Sequence, residues 1–118
     1  MIKRGNMDAK QKLDEINSIM KEVSNDDTDF QSSFMAFMGS TMSGGSLDIK
    51  TQELIALSLG IAASCEWCIS YHVNAAFAAG ATRKELMEVG YVTVLMYGSQ
   101  ALMELNNLMD AIKQFEQK

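Results

Sequence analysis

The chain reads as an all-α protein of about six helices, and three observations predict this. Apolar residues recur at spacings of three and four, the signature of helix faces buried on one side. Proline is absent from all 118 residues, so the strongest helix breaker is missing and Gly, Asn and Ser mark the turns. No stretch alternates with period two over a useful length, so no strand is expected. No internal repeat and no low-complexity tract beyond one short Gly/Ser run is visible.

Residues 1–7 have no periodicity and contain a second Met, which suggests a mobile start. In residues 8 to about 23, Ala9, Leu13, Ile16, Met20 and Val23 form one amphipathic stripe, and residues 24–27 end it. A second helical pattern carries Phe30, Phe34, Phe37 and Met38, read as core or interface residues, and stops in the Gly/Ser-rich run of residues 39–46. Asp48 is placed to cap a third helix over residues 49 to about 62. That helix is apolar on most sides, with Glu53 and Ser58 as its conspicuous polar residues, so it belongs in the middle of the protein or of an oligomer. A fourth pattern, residues 65–79, carries Ile69, Val73, Ala76 and Phe77 on one face, with Gly80 as a left-handed closing residue. Thr82 and Glu85 form a capping box for a fifth helix through Leu86, Val89, Thr93 and Met96. After a turn or kink near Gly98, the last helix carries Leu102, Leu105, Met109, Ile112 and Phe115.

With 47% hydrophobic residues, residues 1–118 are expected to form a single domain with a modest core. A net charge of -5 with scattered basic residues argues against a nucleic-acid partner. The longest apolar stretch, residues 54–63, is interrupted by Ser58 and too short to cross a bilayer, and no basic segment followed by an apolar one opens the chain. A cytoplasmic protein without a membrane partner is expected. Ten methionines suit irregular helix contacts or subunit interfaces.

The chemistry-bearing residues are few. Cys65 and Cys68 are the two cysteines, and His72 is the single histidine. A disulfide closing so short a loop would constrain the unfolded chain little, so stapling is a poor explanation for the pair. At positions i, i+3 and i+7 of one helix the three residues fall within an arc of roughly 60°. Ala75, Ala76 and Ala79 near that face leave room for an approaching group or a neighbouring helix.

Glu53 would lie about 18 Å from Cys65 along one continuous helix. Ser64, however, is a plausible N-cap for a new helix, and a reversal at residues 62–64 brings Glu53 opposite His72. Cys65 and Cys68 would then occupy the first turn, where exposed N–H groups and the helix dipole favour a thiolate. His72, one turn beyond Cys68, can take its proton, while Glu53 fixes the imidazole tautomer. One sulfur then resolves the other after oxidation. A bond between residues i and i+3 requires some distortion of the first turn, which would make it labile.

The pattern Glu53, eleven residues, Cys65, two residues, Cys68, three residues, His72 resembles the signature of the alkylhydroperoxidase D-like group of the carboxymuconolactone decarboxylase superfamily. Residues 47–54 are similar to that group's start of its core helix, and the likeness covers about residues 45–98. The resemblance implies an all-helical fold, assembly as trimers or hexamers, and thiol-based reduction of peroxides or disulfides. Carried over by position, Cys68 is the peroxide-attacking sulfur, Cys65 the resolving one, and Glu53 with His72 the proton relay. One position departs from the better-known peroxidases, which have a second His directly before the second Cys, where this chain has Trp67.

The partners implied are a peroxide or disulfide substrate, a thiol reductant protein or small dithiol, and further copies of the chain. No bound cofactor or metal is called for. A zinc site is the chemical alternative, since Cys65, Cys68, His72 and Glu53 supply tetrahedral donors, though three of them on one rigid helix face converge awkwardly. A lactone decarboxylase of the same superfamily is another, but that chemistry does not use a cysteine pair. A thioredoxin-like fold would need a strand before the motif and a proline beside it. Trp67 and Tyr71 are read as packing residues, and Lys50, Arg83 and Lys84 as solvated.

Overall fold

Every helix but the last begins where a side chain accepts from an exposed N–H group of its first turn. The computed structural model describes residues 7–117, and the expectation for residues 1–7 lies, except for Met7, outside them. Asp8 opens α1 (Ala9–Asp26) through a capping box with Gln11. Asp27 caps α2 (Thr28–Thr41), Asp48 caps α3 (Ile49–Ala62) and Cys65 caps α4 (Glu66–Ala78). The Thr82–Glu85 capping box opens α5 (Arg83–Tyr97), and Gly98 separates it from α6 (Ser99–Phe115). No strand occurs among the described residues, so the protein is all-α.

The core is built where α3 and α4 pack as an antiparallel hairpin against α5 and α6. Leu57 and Ile61 of α3, Ile69 and Val73 of α4, Leu86 of α5 and Leu108 of α6 are fully buried there. Helix α1 lies across α4 and α6, and α2 packs chiefly on α1. Gly80 at φ 94 closes α4 in the left-handed region. Its N–H reaches the Phe77 carbonyl, and that of Ala81 reaches Ala76, which satisfies two of the free carbonyls in the last turn of the helix.

One expectation changes, and two that left alternatives open are narrowed. Ser64 is not the N-cap of α4. It is the left-handed residue that ends α3, at φ 55, and the cap passes to Cys65. Helix α2 contributes no buried residue, so its phenylalanines and methionines are not core in the single chain. Helix α3, apolar nearly all round, is covered only in part, and Ile55 and Leu59 remain exposed.

Candidate functional site

The site is positioned by the reversal between α3 and α4. Ser64 N–H donates to the Ile61 carbonyl at 3.1 Å and Cys65 N–H to the Gly60 carbonyl at 3.0 Å, which folds α4 back along α3. The absent side chain of Gly60 lets the two helices approach at Cys68. Cys65 is in extended backbone at φ -96 and ψ 96, just outside the helix. Its sulfur accepts from Cys68 N–H at 3.1 Å.

Cys65 and Cys68 form a disulfide with Cα atoms 5.2 Å apart. The expected distortion of the first turn is therefore taken up by Cys65 lying outside α4. Farther along the hairpin, Glu53 Oε1 and His72 Nδ1 are 2.7 Å apart. Glu53 is only 7% exposed, and a buried carboxylate needs such a partner. With Nδ1–H donating to the carboxylate, His72 Nε2 is the nitrogen left to take or give a proton. Ser58 instead donates to the Ile55 carbonyl of its own helix at 2.6 Å and does not join the group.

These groups open on an apolar cavity of about 420 Å³. Ile16 and Met20 of α1, Phe34 and Met38 of α2, Met42 just after it, Ala56 of α3, and Trp67 and Tyr71 of α4 line it together with Glu53, Cys68 and His72. Cys65 is not part of this lining. Tyr71 lies edge-on to His72, with ring centroids 5.1 Å apart. Burial, and then the charge of Glu53, push its phenol above the ordinary range. A neutral phenol can donate a hydrogen bond where a phenolate could not.

Sequence reasoning missed most of this enclosure. Trp67 and Tyr71 line the cavity as well as packing, while Ala75 and Ala79 belong to a separate groove beside residues 43–50. Ala76 is in the core. The open side of the sulfurs is therefore bounded by α1 and α2, and not by the alanines. Gly60 carried a usable signal, a lone glycine inside an apolar helix, which often marks close approach. Met20, Met38 and Met42 carried none beyond helical spacing. Among the described residues no three His, Cys, Asp or Glu side chains are grouped to share a metal ion.

A helical bundle with a Cys-x-x-Cys disulfide beside a buried Glu–His pair is the class that fold and site define. The family model for the carboxymuconolactone decarboxylase family matches residues 28–111. The chain is 31% identical over 96 residues to an uncharacterised protein of Cupriavidus necator, spanning 81% of this chain and 85% of that one. It is 28% identical over 95 residues to uncharacterised protein 4 of the cox locus of Paracoccus denitrificans, spanning 80% and 86%. The crystal structure of a carboxymuconolactone decarboxylase family protein from Legionella pneumophila superposes with a TM-score of 0.87 at 28% identity, over 92% of this chain and 97% of that one. A family protein from Thermotoga maritima shares the fold with a TM-score of 0.76 at 24% identity, over 87% and 88%. The chain belongs to the carboxymuconolactone decarboxylase family.

Proposed function

We propose that this protein is a thiol-dependent oxidoreductase of the alkylhydroperoxidase D-like kind, reducing hydroperoxides through Cys68 with Cys65 as the resolving sulfur. The observation that carries this reading is that Cys68, His72 and Glu53 line one apolar cavity and Cys65 does not. In the reduced protein, His72 Nε2 takes the Cys68 proton and Glu53 stabilises the resulting imidazolium. The Cys68 thiolate attacks the O–O bond. An S–O bond forms, the O–O bond breaks, and the leaving alkoxide takes the proton from His72. The Cys65 thiol then attacks the sulfenic sulfur: the S–S bond forms, the S–O bond breaks, and the thiol proton goes to the departing oxygen, which leaves as water. An external dithiol, from a reductant protein or a small molecule, returns both sulfurs to thiols by exchange and is itself oxidised.

The apolar lining favours an organic hydroperoxide over hydrogen peroxide, because bulk apolar surface gains by leaving water. A reducing compartment such as the cytoplasm suits the cycle, and among the described residues no helix is long and apolar enough to cross a membrane. Exposed Leu59, Leu95 and Met96 support self-association, and the resemblance to the alkylhydroperoxidase D-like group implies trimers or hexamers. The decarboxylase reaction that gives the family its name leaves the cysteine pair without a task.

Single substitutions test the assignment. Cys65→Ser should consume one equivalent of hydroperoxide, leave a trappable sulfenic acid at Cys68 and fail to turn over. Cys68→Ser should do neither. A Cys68→Ser variant that reduces peroxide at the native rate would reverse the roles.

A further inference from the structure

Lys12 of α1 is 3% exposed. Its Nζ lies 2.9 Å from Glu66 Oε1 and donates to Asn107 Oδ1 at 3.3 Å. Glu66 is the first residue of α4 and directly follows Cys65. A buried ammonium is costly, and one half-solvated carboxylate with one amide oxygen is modest compensation. If the contact served only to tie α1 to α4 and α6, apolar residues of similar volume would do so at lower cost.

The redox state of the neighbouring sulfurs changes this balance. In the disulfide both sulfurs are neutral. After reduction, a thiolate at the N-terminal end of α4 adds a negative charge to the helix end that carries Glu66, the partner of the ammonium. Glu66 alone would oppose that thiolate, because it places a carboxylate next to Cys65. Lys12 neutralises it and leaves the electropositive end of α4 available to the sulfur. Among the described residues, the other charged or titratable groups nearby include Glu53, His72 and Tyr71 on the cavity side, and Glu104 of α6, reached through Asn107, whose amide donates to it at 3.0 Å.

We propose that Lys12 is a positioning residue that sets the thiolate character and the dithiol–disulfide equilibrium of Cys65 and Cys68 through its buried pair with Glu66. The proposal rests on the redox reading of the cysteine pair, and its test does not depend on peroxide turnover. Wild type, Lys12→Met, Glu66→Gln and the double variant are equilibrated with glutathione redox buffers. The pH dependence of iodoacetamide alkylation is measured on each reduced protein, and circular dichroism checks that each is folded.

Lys12→Met should raise the pH at which the more reactive thiol ionises and move the equilibrium toward the disulfide by about tenfold, the effect of one pKa unit. Glu66→Gln, which frees the ammonium from its carboxylate, should move it toward the dithiol. The double variant should return to within about threefold of wild type, because it removes both members of a pair whose charges offset each other in the wild type. A purely structural tie would lower the melting temperature in all three variants without this reversal of sign. The proposal is overturned if folded Lys12→Met leaves the equilibrium unchanged, or if the double variant stays where Lys12→Met is. Should Lys12→Met fail to fold, an unchanged equilibrium in Glu66→Gln overturns it equally. Peroxide consumption by the wild type is scored separately, so failure of the proposed function is told apart from failure of this one.

Discussion

Gly60 and Cys68 meet across the α3–α4 hairpin: a Cβ placed on Gly60 would stand 3.0 Å from the Cβ of Cys68 and 3.6 Å from its backbone carbonyl carbon. The neighbours are the root of a side chain and backbone, which cannot swing aside as a side-chain tip can. Gly60→Ala should therefore cost about 1–3 kcal/mol by overpacking, despite the better helix propensity of Ala. It should also slow disulfide formation, because Cys68 is displaced. Urea unfolding and thiol titration on the same sample measure both, and a variant as stable and as reactive as wild type would show that the hairpin yields freely.

Glu53 and His72 should separate when each is substituted alone. His72→Ala leaves a buried carboxylate without its imidazole and should lose about 1–3 kcal/mol of stability. Glu53→Gln keeps a hydrogen-bonding oxygen and should lose less. Either change should slow the first reaction of Cys68 with hydroperoxide by roughly 10²- to 10⁴-fold, the usual span for a positioned proton-transfer group. Stopped-flow single-turnover rates decide it, and equal stability losses would argue that the pair is not held as described.

Ser64 adopts φ 55, a conformation that disfavours side chains with a Cβ. Ser64→Gly should raise stability by roughly 0.5–1 kcal/mol, after allowing for the greater freedom of glycine in the unfolded chain. The hydrogen bond it gives up, donated by Gln100 to the serine hydroxyl, is exposed. Ser64→Val, β-branched at the same position, should lose about 1–3 kcal/mol. Thermal melts of the two variants should bracket the wild type, and a destabilised glycine variant would contradict the assignment of Ser64 as the closing residue of α3.

Leu59 and Leu95 are 62% and 82% exposed in the single chain. If copies of the chain cover them, Leu59→Glu and Leu95→Glu should each reduce the mass seen by light scattering, since a carboxylate buried at an interface core is strongly unfavourable. A wild type that is monomeric at micromolar concentration would remove the basis for self-association.

Acid should weaken the α3–α5 contact. The Lys50 ammonium, bonded to Glu85 at 2.9 Å, and the Thr82 N–H hold the Glu85 carboxyl below its usual range, and Thr51 does the same for Asp48. Groups with depressed folded values stabilise the protein above the ordinary carboxylate pKa, about 4, and lose that contribution as pH falls through the folded value. Glu85→Gln and Asp48→Asn should therefore flatten the fall in melting temperature below about pH 5. Identical pH profiles in the variants and wild type would refute this.

Much of this molecule is determined locally, and the sequence by itself sufficed for that part. Asp8, Asp48 and Thr82 cap helices with hydrogen bonds spanning three residues, so the all-α class and the helix starts follow from short-range chemistry. The meeting of Glu53 with His72 followed from spacing about a tight reversal, because antiparallel helices pair residues equidistant from the turn. The same reasoning misassigned Ser64, since a hydroxyl residue between two helices can cap the second or close the first, and only the backbone conformation distinguishes them. The cavity was decided by tertiary structure alone: Met20 comes from α1, Phe34 and Met38 from α2 and Met42 from its C-terminal cap, and helical periodicity states which residues share a face, not which helix that face will meet. Lys12 shows the same limit. A lysine in an amphipathic helix reads as solvated, and its burial depends on Glu66 and Asn107, which only the packing of α1 against α4 and α6 brings to it.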